Sequence, residues 1–114
     1  IAAHPYRRRF LEEPAHRPGV RNEMLEQAGQ DMFFQMCQGI EGLNGRGLHI
    51  QNEFSLELGC ILGTNMTAGS DAHKLEQIGT VATEFQRPVS SLQDLIRELR
   101  SGLYHPIDLR QQSH

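Results

Sequence analysis

Three short apolar runs, separated by two helix-periodic segments, constrain this 114-residue chain more than any other feature. The runs lie at residues 1–3, 39–43 and 64–68. Between the first two, Leu25, Ala28, Met32, Phe33 and Met36 recur at helical spacing over 23–37, and this stripe reads as core packing. Between the second and third, Ile50, Phe54, Leu58, Ile61 and Leu62 share one side of a helix over 50–62, with Gly63 as its natural stop. Such alternation is built by right-handed parallel crossovers and predicts an α/β fold with a parallel βαβαβ unit. In sheets of this kind, ligands gather at the carboxyl ends of the strands.

Polar residues fall at those ends. His4 follows the first run, Asn44 stands at the exit of the second with Glu41 inside it, and Asp71 and His73 follow the third. In an extended backbone Asp71 and His73, two positions apart, address one point in space. A carboxylate oxygen beside an imidazole nitrogen suits zinc, manganese or iron. The same stretch also admits a purely structural role, in which Ser70 or Asp71 caps a following turn. Asn44-Gly45-Arg46-Gly47 is a strong turn signal, with Arg46 a weaker anion candidate.

The remaining segments frame this pattern. Arg7, Arg8, Arg9, Arg17 and Arg21 crowd the start of the chain, as a local anion patch or a solvated loop. Pro14, Pro18 and Gly19 argue for loop over 5–20. A further strand is expected over 77–85, broken by Gln86-Arg87-Pro88. Ser90 or Ser91 then caps a helix over 92–100 with Leu92, Leu95, Ile96 and Leu99 on its apolar face, and Gly102 ends it. The polar stretch 108–114 is expected to fray. His16, His49, His105 and His114 read as exposed.

Several classes are disfavoured. A formal charge of −3 and a pI near 6.1 give no broad positive field, so nucleic acid is not expected as a primary partner. No apolar run approaches the roughly 18 residues of a membrane span, and no secretory signal pattern is visible. Cys37 and Cys60 lack C-x-x-C spacing, so neither a zinc knuckle nor a disulfide framework is suggested, and a reduced cytoplasmic compartment is the simplest expectation.

Taken in order, Ala3-His4-Pro5-Tyr6-Arg7, then Ile40-Glu41-Gly42-Leu43-Asn44-Gly45, then Gly69-Ser70-Asp71-Ala72-His73 resemble the carboxy-terminal half of a polymerase-and-histidinol-phosphatase (PHP) domain. Within that group the chain is most similar to the metal-dependent phosphoesterases. Gly79, Thr83, Phe85, Leu95 to Gly102 and Pro106 continue the pattern. The resemblance implies a distorted seven-stranded (β/α) barrel, of which residues 1–114 supply the second half. The family's early His-x-His motif is absent from these residues, so the chain is expected to be a fragment.

The resemblance also implies roles. His4, Asp71 and His73 carry over as ligands of a divalent metal, Arg7 as the phosphate-facing arginine, and Glu41 and Asn44 as residues that support the ligands from behind. The implied activity is hydrolysis of a small phosphate ester by metal-activated water, with the amino-terminal half required. The alternative is a non-catalytic PHP-like module that binds a metal or an anion or serves as an interaction domain. Half of a barrel exposes sheet edges, and self-association through them is expected.

Overall fold

The computed structural model describes residues 1–5 and 17–110. Arg7, Arg8, Arg9, His16, His114 and most of the expected 5–20 loop lie outside the described residues. Helix α1 (Pro18–Gln30) starts inside that expected loop. Proline at the first helical position lacks only an N–H that would have had no partner, so Pro18 opens the helix where the sequence suggested it would prevent one. The helix buries Met24, Leu25 and Ala28.

Asp31 then breaks the expected single helix. Its backbone is extended (φ −73°, ψ 119°), and its carboxylate accepts from the Phe33 N–H at 2.9 Å, capping the short helix α2 (Met32–Met36). The break resets the helical phase. Phe34 turns inward, while Met32, Phe33 and Met36 are 70%, 61% and 79% exposed. The methionine and phenylalanine stripe is therefore not core, contrary to the periodicity.

Strand β1 (Gly39–Asn44), helix α3 (His49–Leu62) and strand β2 (Asn65–Gly69) form the expected parallel crossover. Ala2 adds a parallel bridge to Ile40, with Ala2 N–H donating to Gly39 O at 3.0 Å and Glu41 N–H to Ala2 O at 2.8 Å. The three expected parallel segments are thus neighbours, the first reduced to one bridging residue. Ile40, Phe54 and Leu58 are completely buried between sheet and helices, and each such side chain contributes about 1.5–3 kcal/mol. Ile61 departs from the expected face and is 55% exposed. Gly63 closes α3 in the left-handed conformation (φ 62°), the role assigned to it by sequence.

A second sheet was only half foreseen. After a 3-10 turn at Leu75–Gln77, strand β3 (Val81–Phe85) runs antiparallel to β4 (Tyr104–Asp108), with helix α4 (Leu92–Ser101) between them. His105-Pro106 disguised β4, because proline donates nothing to a ladder; here it sits opposite Thr83. The Thr83 hydroxyl joins the two sheets, accepting from Ala68 N–H at 2.9 Å and donating to Ala68 O at 3.0 Å.

Helix α4 is capped as expected: Ser91 Oγ accepts from Asp94 N–H at 3.0 Å, and Gly102 ends it at φ 73°. Its seating differs from the apolar pattern. Leu92 and Ile96 are 66% and 40% exposed, whereas Glu98 is fully buried. Arg87 Nε and Arg97 Nε lie 2.7 and 3.5 Å from Glu98 Oε1, and this paired charge is what lets a carboxylate take the inner position. The whole is a small mixed α/β domain. Among the described residues, no helix is long and apolar enough to cross a membrane, and Cys37 and Cys60 are free thiols.

Candidate functional site

The carboxyl end of β1 owes its shape to an irregularity. Glu41 pairs with Thr67 and Leu43 with Ala68, so Gly42 is an extra residue in the ladder. The bulge re-aims the strand and brings Glu41 and Asn44 to the same side, where Asn44 Nδ2 donates to Glu41 Oε1 at 2.8 Å. The same amide nitrogen lies 3.4 Å from Asp71 Oδ2.

Asn44, only 4% exposed, is fixed from every direction. Its N–H donates to Asn52 Oδ1 at 3.0 Å, and Asn52 Nδ2 returns a bond to Asn44 O at 3.1 Å. Its own side-chain oxygen accepts from Arg46 N–H at 2.9 Å, which folds the Asn-Gly-Arg-Gly turn. Gly45 sits so close to the loop after β2 that an added Cβ would lie 2.7 Å from Ser70 O, while Gly45 N–H donates to Gly69 O at 2.9 Å. Loop contacts this close hold the ends of β1 and β2 in one cluster.

His4 and Asp71 share an uncommon backbone. Among the described residues they are the two non-glycine positions with positive φ, 26° and 51°. Such conformations cost roughly 1–3 kcal/mol each and persist where the surroundings over-determine them. At His4 the determinant is Glu41, whose Oε1 accepts from the His4 N–H at 3.1 Å. At Asp71 the left-handed turn replaces the extended geometry expected for Asp-x-His. The two side chains still meet, with Asp71 Oδ1 3.9 Å from His73 Nδ1. The capping role considered for Ser70 or Asp71 goes to Gln77, whose Oε1 accepts from the His73 and Lys74 N–H groups at 2.8 and 3.1 Å.

Arg46 reaches into this cluster. Its Nη1 lies 2.9 and 3.1 Å from the two ring nitrogens of His73 and 4.0 Å from Asp71 Oδ2. His73 Nδ1 also lies 2.8 Å from Asp71 O. On the far side of the turn, Arg110 clasps the Asp108 carboxylate through Nε and Nη2 and reaches Gly45 O at 3.3 Å with Nη1. Those bonds hold the Asp108 carboxyl below its ordinary value of 3.8 and push the Arg110 guanidinium up.

The structure thus gathers Glu41, Asn44, Asp71 and His73 at one point, with His4 attached through its backbone. Arg7 lies outside the described residues. The donor chemistry, carboxylate oxygen and imidazole nitrogen, fits a divalent ion. Its arrangement stops short of a full shell: among the described residues, no group of three or more His, Cys, Asp or Glu side chains is placed to hold a metal. Sequence reasoning underweighted Arg46, whose signal was its place in the turn facing the Asp-x-His loop.

Residues 49–103 match the family model PHP_C, described as PHP-associated. No curated protein and no solved structure matches the chain. The matched segment contains Asp71 and His73, whereas His4, Glu41, Asn44 and Arg46 precede it. Over residues 49–103, just under half of the chain, the sequence is thus similar to PHP-associated carboxy-terminal domains.

Proposed function

We propose that this chain is the carboxy-terminal half of a PHP barrel belonging to a cytoplasmic metal-dependent phosphoesterase that hydrolyses a small phosphate ester. The observation that carries the reading is the convergence at one sheet edge. Neighbouring parallel segments deliver His4, Glu41 with Asn44, and Asp71 with His73, and the two non-glycine residues with positive φ among the described residues are both of metal-donor type. A divalent ion, zinc, manganese or iron, would supply Lewis acidity and an acidified water when bound.

The chain's own residues divide the work. Asp71 and His73 offer an oxygen and a nitrogen, and His4 stands ready on the adjoining turn. Glu41 holds that turn by accepting from His4 N–H at 3.1 Å and from Asn44 Nδ2 at 2.8 Å, and the same Asn44 nitrogen steadies the Asp71 carboxylate at 3.4 Å. Arg7 takes the phosphate oxygens of the substrate, for which a guanidinium fork is suited. The remaining ligands come from a His-x-His segment outside residues 1–114. Without that half, exposed sheet edges favour pairing with a second copy.

Two measurements test this. Elemental analysis of the purified chain beside Asp71→Ala/His73→Ala is expected to find zinc, manganese or iron in the first alone. In a protein carrying both halves, Asp71→Ala is expected to abolish phosphate release, and unchanged turnover there sinks the mechanism. The second reading, a non-catalytic metal- or anion-binding module, draws support from the incomplete donor set and from the guanidinium within it. Bound metal without phosphate release from the two-half protein would select it.

A further inference from the structure

We infer that the cleft at the amino ends of β1 and β2 is a binding site for a small aliphatic monocarboxylate, with Arg100 and Tyr104 taking the carboxylate and Ile96 and Leu99 the chain. The cleft holds about 500 Å³, within the range of sites that enclose small molecules. Gln38 stands just before β1, Asn65 opens β2 and Tyr104 opens β4, while the last two turns of α4 form the facing wall. The Asp71/His73 cluster lies past the other end of the same parallel strands, so the two sites are separate.

Two observations point to a ligand. The first is Tyr104, which is only 8% exposed, packs its ring on Phe85 at 5.6 Å between centroids, and has no hydrogen-bond partner for its hydroxyl among the described residues. The hydroxyl stands beside the start of β1, where a Cβ added at Gly39 would lie 3.4 Å from it. Buried tyrosines ordinarily find a partner for this group, and a ligand in the cleft supplies one. Burial pushes the phenol above its usual 10.0, so at neutral pH it keeps the proton it would donate. The half-buried Asn65 amide, also without a partner among the described residues, adds a second donor. The other observation is charge. Arg100 is the one charged side chain of the lining, is exposed, and meets no carboxylate among the described residues. A guanidinium fork with phenol and amide donors and no acidic neighbour in the lining selects an anion, and the planar carboxylate matches the fork. Ile1, Leu99 and the 40% exposed Ile96 make the rest of the wall aliphatic, so the anion that fills the cleft carries an apolar body.

The test is titration of the isotope-labelled 114-residue chain with octanoate, followed by two-dimensional nitrogen–proton resonance spectra, beside hexanoate and 1-octanol. Octanoate is expected to bind saturably and to shift the side-chain amides of Gln38 and Asn65 and the Nε–H of Arg100. Hexanoate is expected to bind about tenfold more weakly, the loss of two buried methylenes. Arg100→Gln is expected to weaken octanoate about tenfold, the scale of one charge-assisted hydrogen bond, and Tyr104→Phe, which keeps the ring packing, about fivefold. Unchanged circular dichroism certifies both folds, and because Arg100 is exposed its variant decides the matter if Tyr104→Phe is unstable. Octanoate affinity that Arg100→Gln leaves at the wild-type value overturns the site, and so do shifts that never saturate or that leave all three reporter groups unmoved. 1-Octanol binding as tightly as octanoate overturns the carboxylate, and equal affinity for hexanoate and octanoate overturns the aliphatic chain.

Discussion

Asn44 Nδ2 donates to Glu41 Oε1 at 2.8 Å although the two residues stand three apart on one strand, a spacing that puts side chains on opposite faces of a regular ladder. The bulge at Gly42 reconciles the two, and that position is also crowded. A Cβ there would lie 3.0 Å from Leu56 Cδ2 and 3.1 Å from Met66 Cβ. Gly42→Ala is expected to cost about 1–3 kcal/mol by overpacking between β1 and α3. Urea unfolding of the variant checks this, and a midpoint equal to wild type would show that α3 yields freely.

Asn44→Asp would set a carboxylate against Glu41 Oε1, and near Asp71, at the distances the amide now occupies. Like charges this close cannot all ionise, so the folded-state pKa of the group rises above its unfolded value. A raised carboxyl pKa favours folding while the proton is held. The variant is therefore expected to be closest to wild type near pH 4 and to lose stability as pH rises through the raised value toward 8. Thermal melts across that range test the sign: a deficit that grows toward acid contradicts it.

Thr83→Val isolates the bond between the sheets. The valine fills the same space but leaves Ala68 N–H and O without the hydroxyl they share. Two part-buried backbone groups lose their partner, and the expected cost is about 1–3 kcal/mol, with Thr83→Ser recovering most of it. Hydrogen exchange at Ala68 is the direct readout. Equal protection in Thr83→Val and wild type would mean that packing alone holds β2 to β3.

On the acid side, Asp94 and Asp108 are the groups to watch. Ser90 N–H and its hydroxyl donate to Asp94, and Arg110 clasps Asp108, so both carboxyls titrate below 3.8 in the folded chain. A depressed pKa contributes stability that is present above the unfolded value and lost as pH falls through the folded one. Asp108→Asn is thus expected to flatten the loss of stability below about pH 4 and to leave the profile between pH 6 and 8 parallel to wild type. An unchanged acid limb would show that the Arg110 pair contributes nothing to folding.

What the sequence made legible was periodic or punctuated. The 3.6 period of Phe54 and Leu58 and the left-handed stops at Gly63 and Gly102 are properties of neighbouring residues, and the structure has each where the pattern put it. What stayed hidden depends on single local events. One Asx cap at Asp31 rotated Met32, Phe33 and Met36 outward, and one extra residue at Gly42 decided which side Glu41 and Asn44 share. In the candidate site, the strand pattern put Asp71 and His73 just past the end of β2, but spacing alone did not foresee the left-handed backbone at Asp71 or the arrival of Arg46 from a turn 27 positions from His73.

Glu98 poses the sharpest test of how α4 is held. The carboxylate is fully buried, neither oxygen has a well-aligned hydrogen-bond donor among the described residues, and its charge is met by Arg87 and Arg97, which are 50% and 55% exposed. Desolvating such an ion costs several kcal/mol, and ion pairs reaching in from solvent return only part of it. An apolar side chain of similar size avoids the cost, while both arginines can turn to water. Glu98→Leu is therefore expected to leave stability unchanged or to raise it by about 1–3 kcal/mol, read from the urea midpoint. A loss of about 2 kcal/mol or more would reverse the assignment: the Arg87–Glu98–Arg97 group, rather than apolar contact, would then be what seats a helix whose Leu92 and Ile96 face outward.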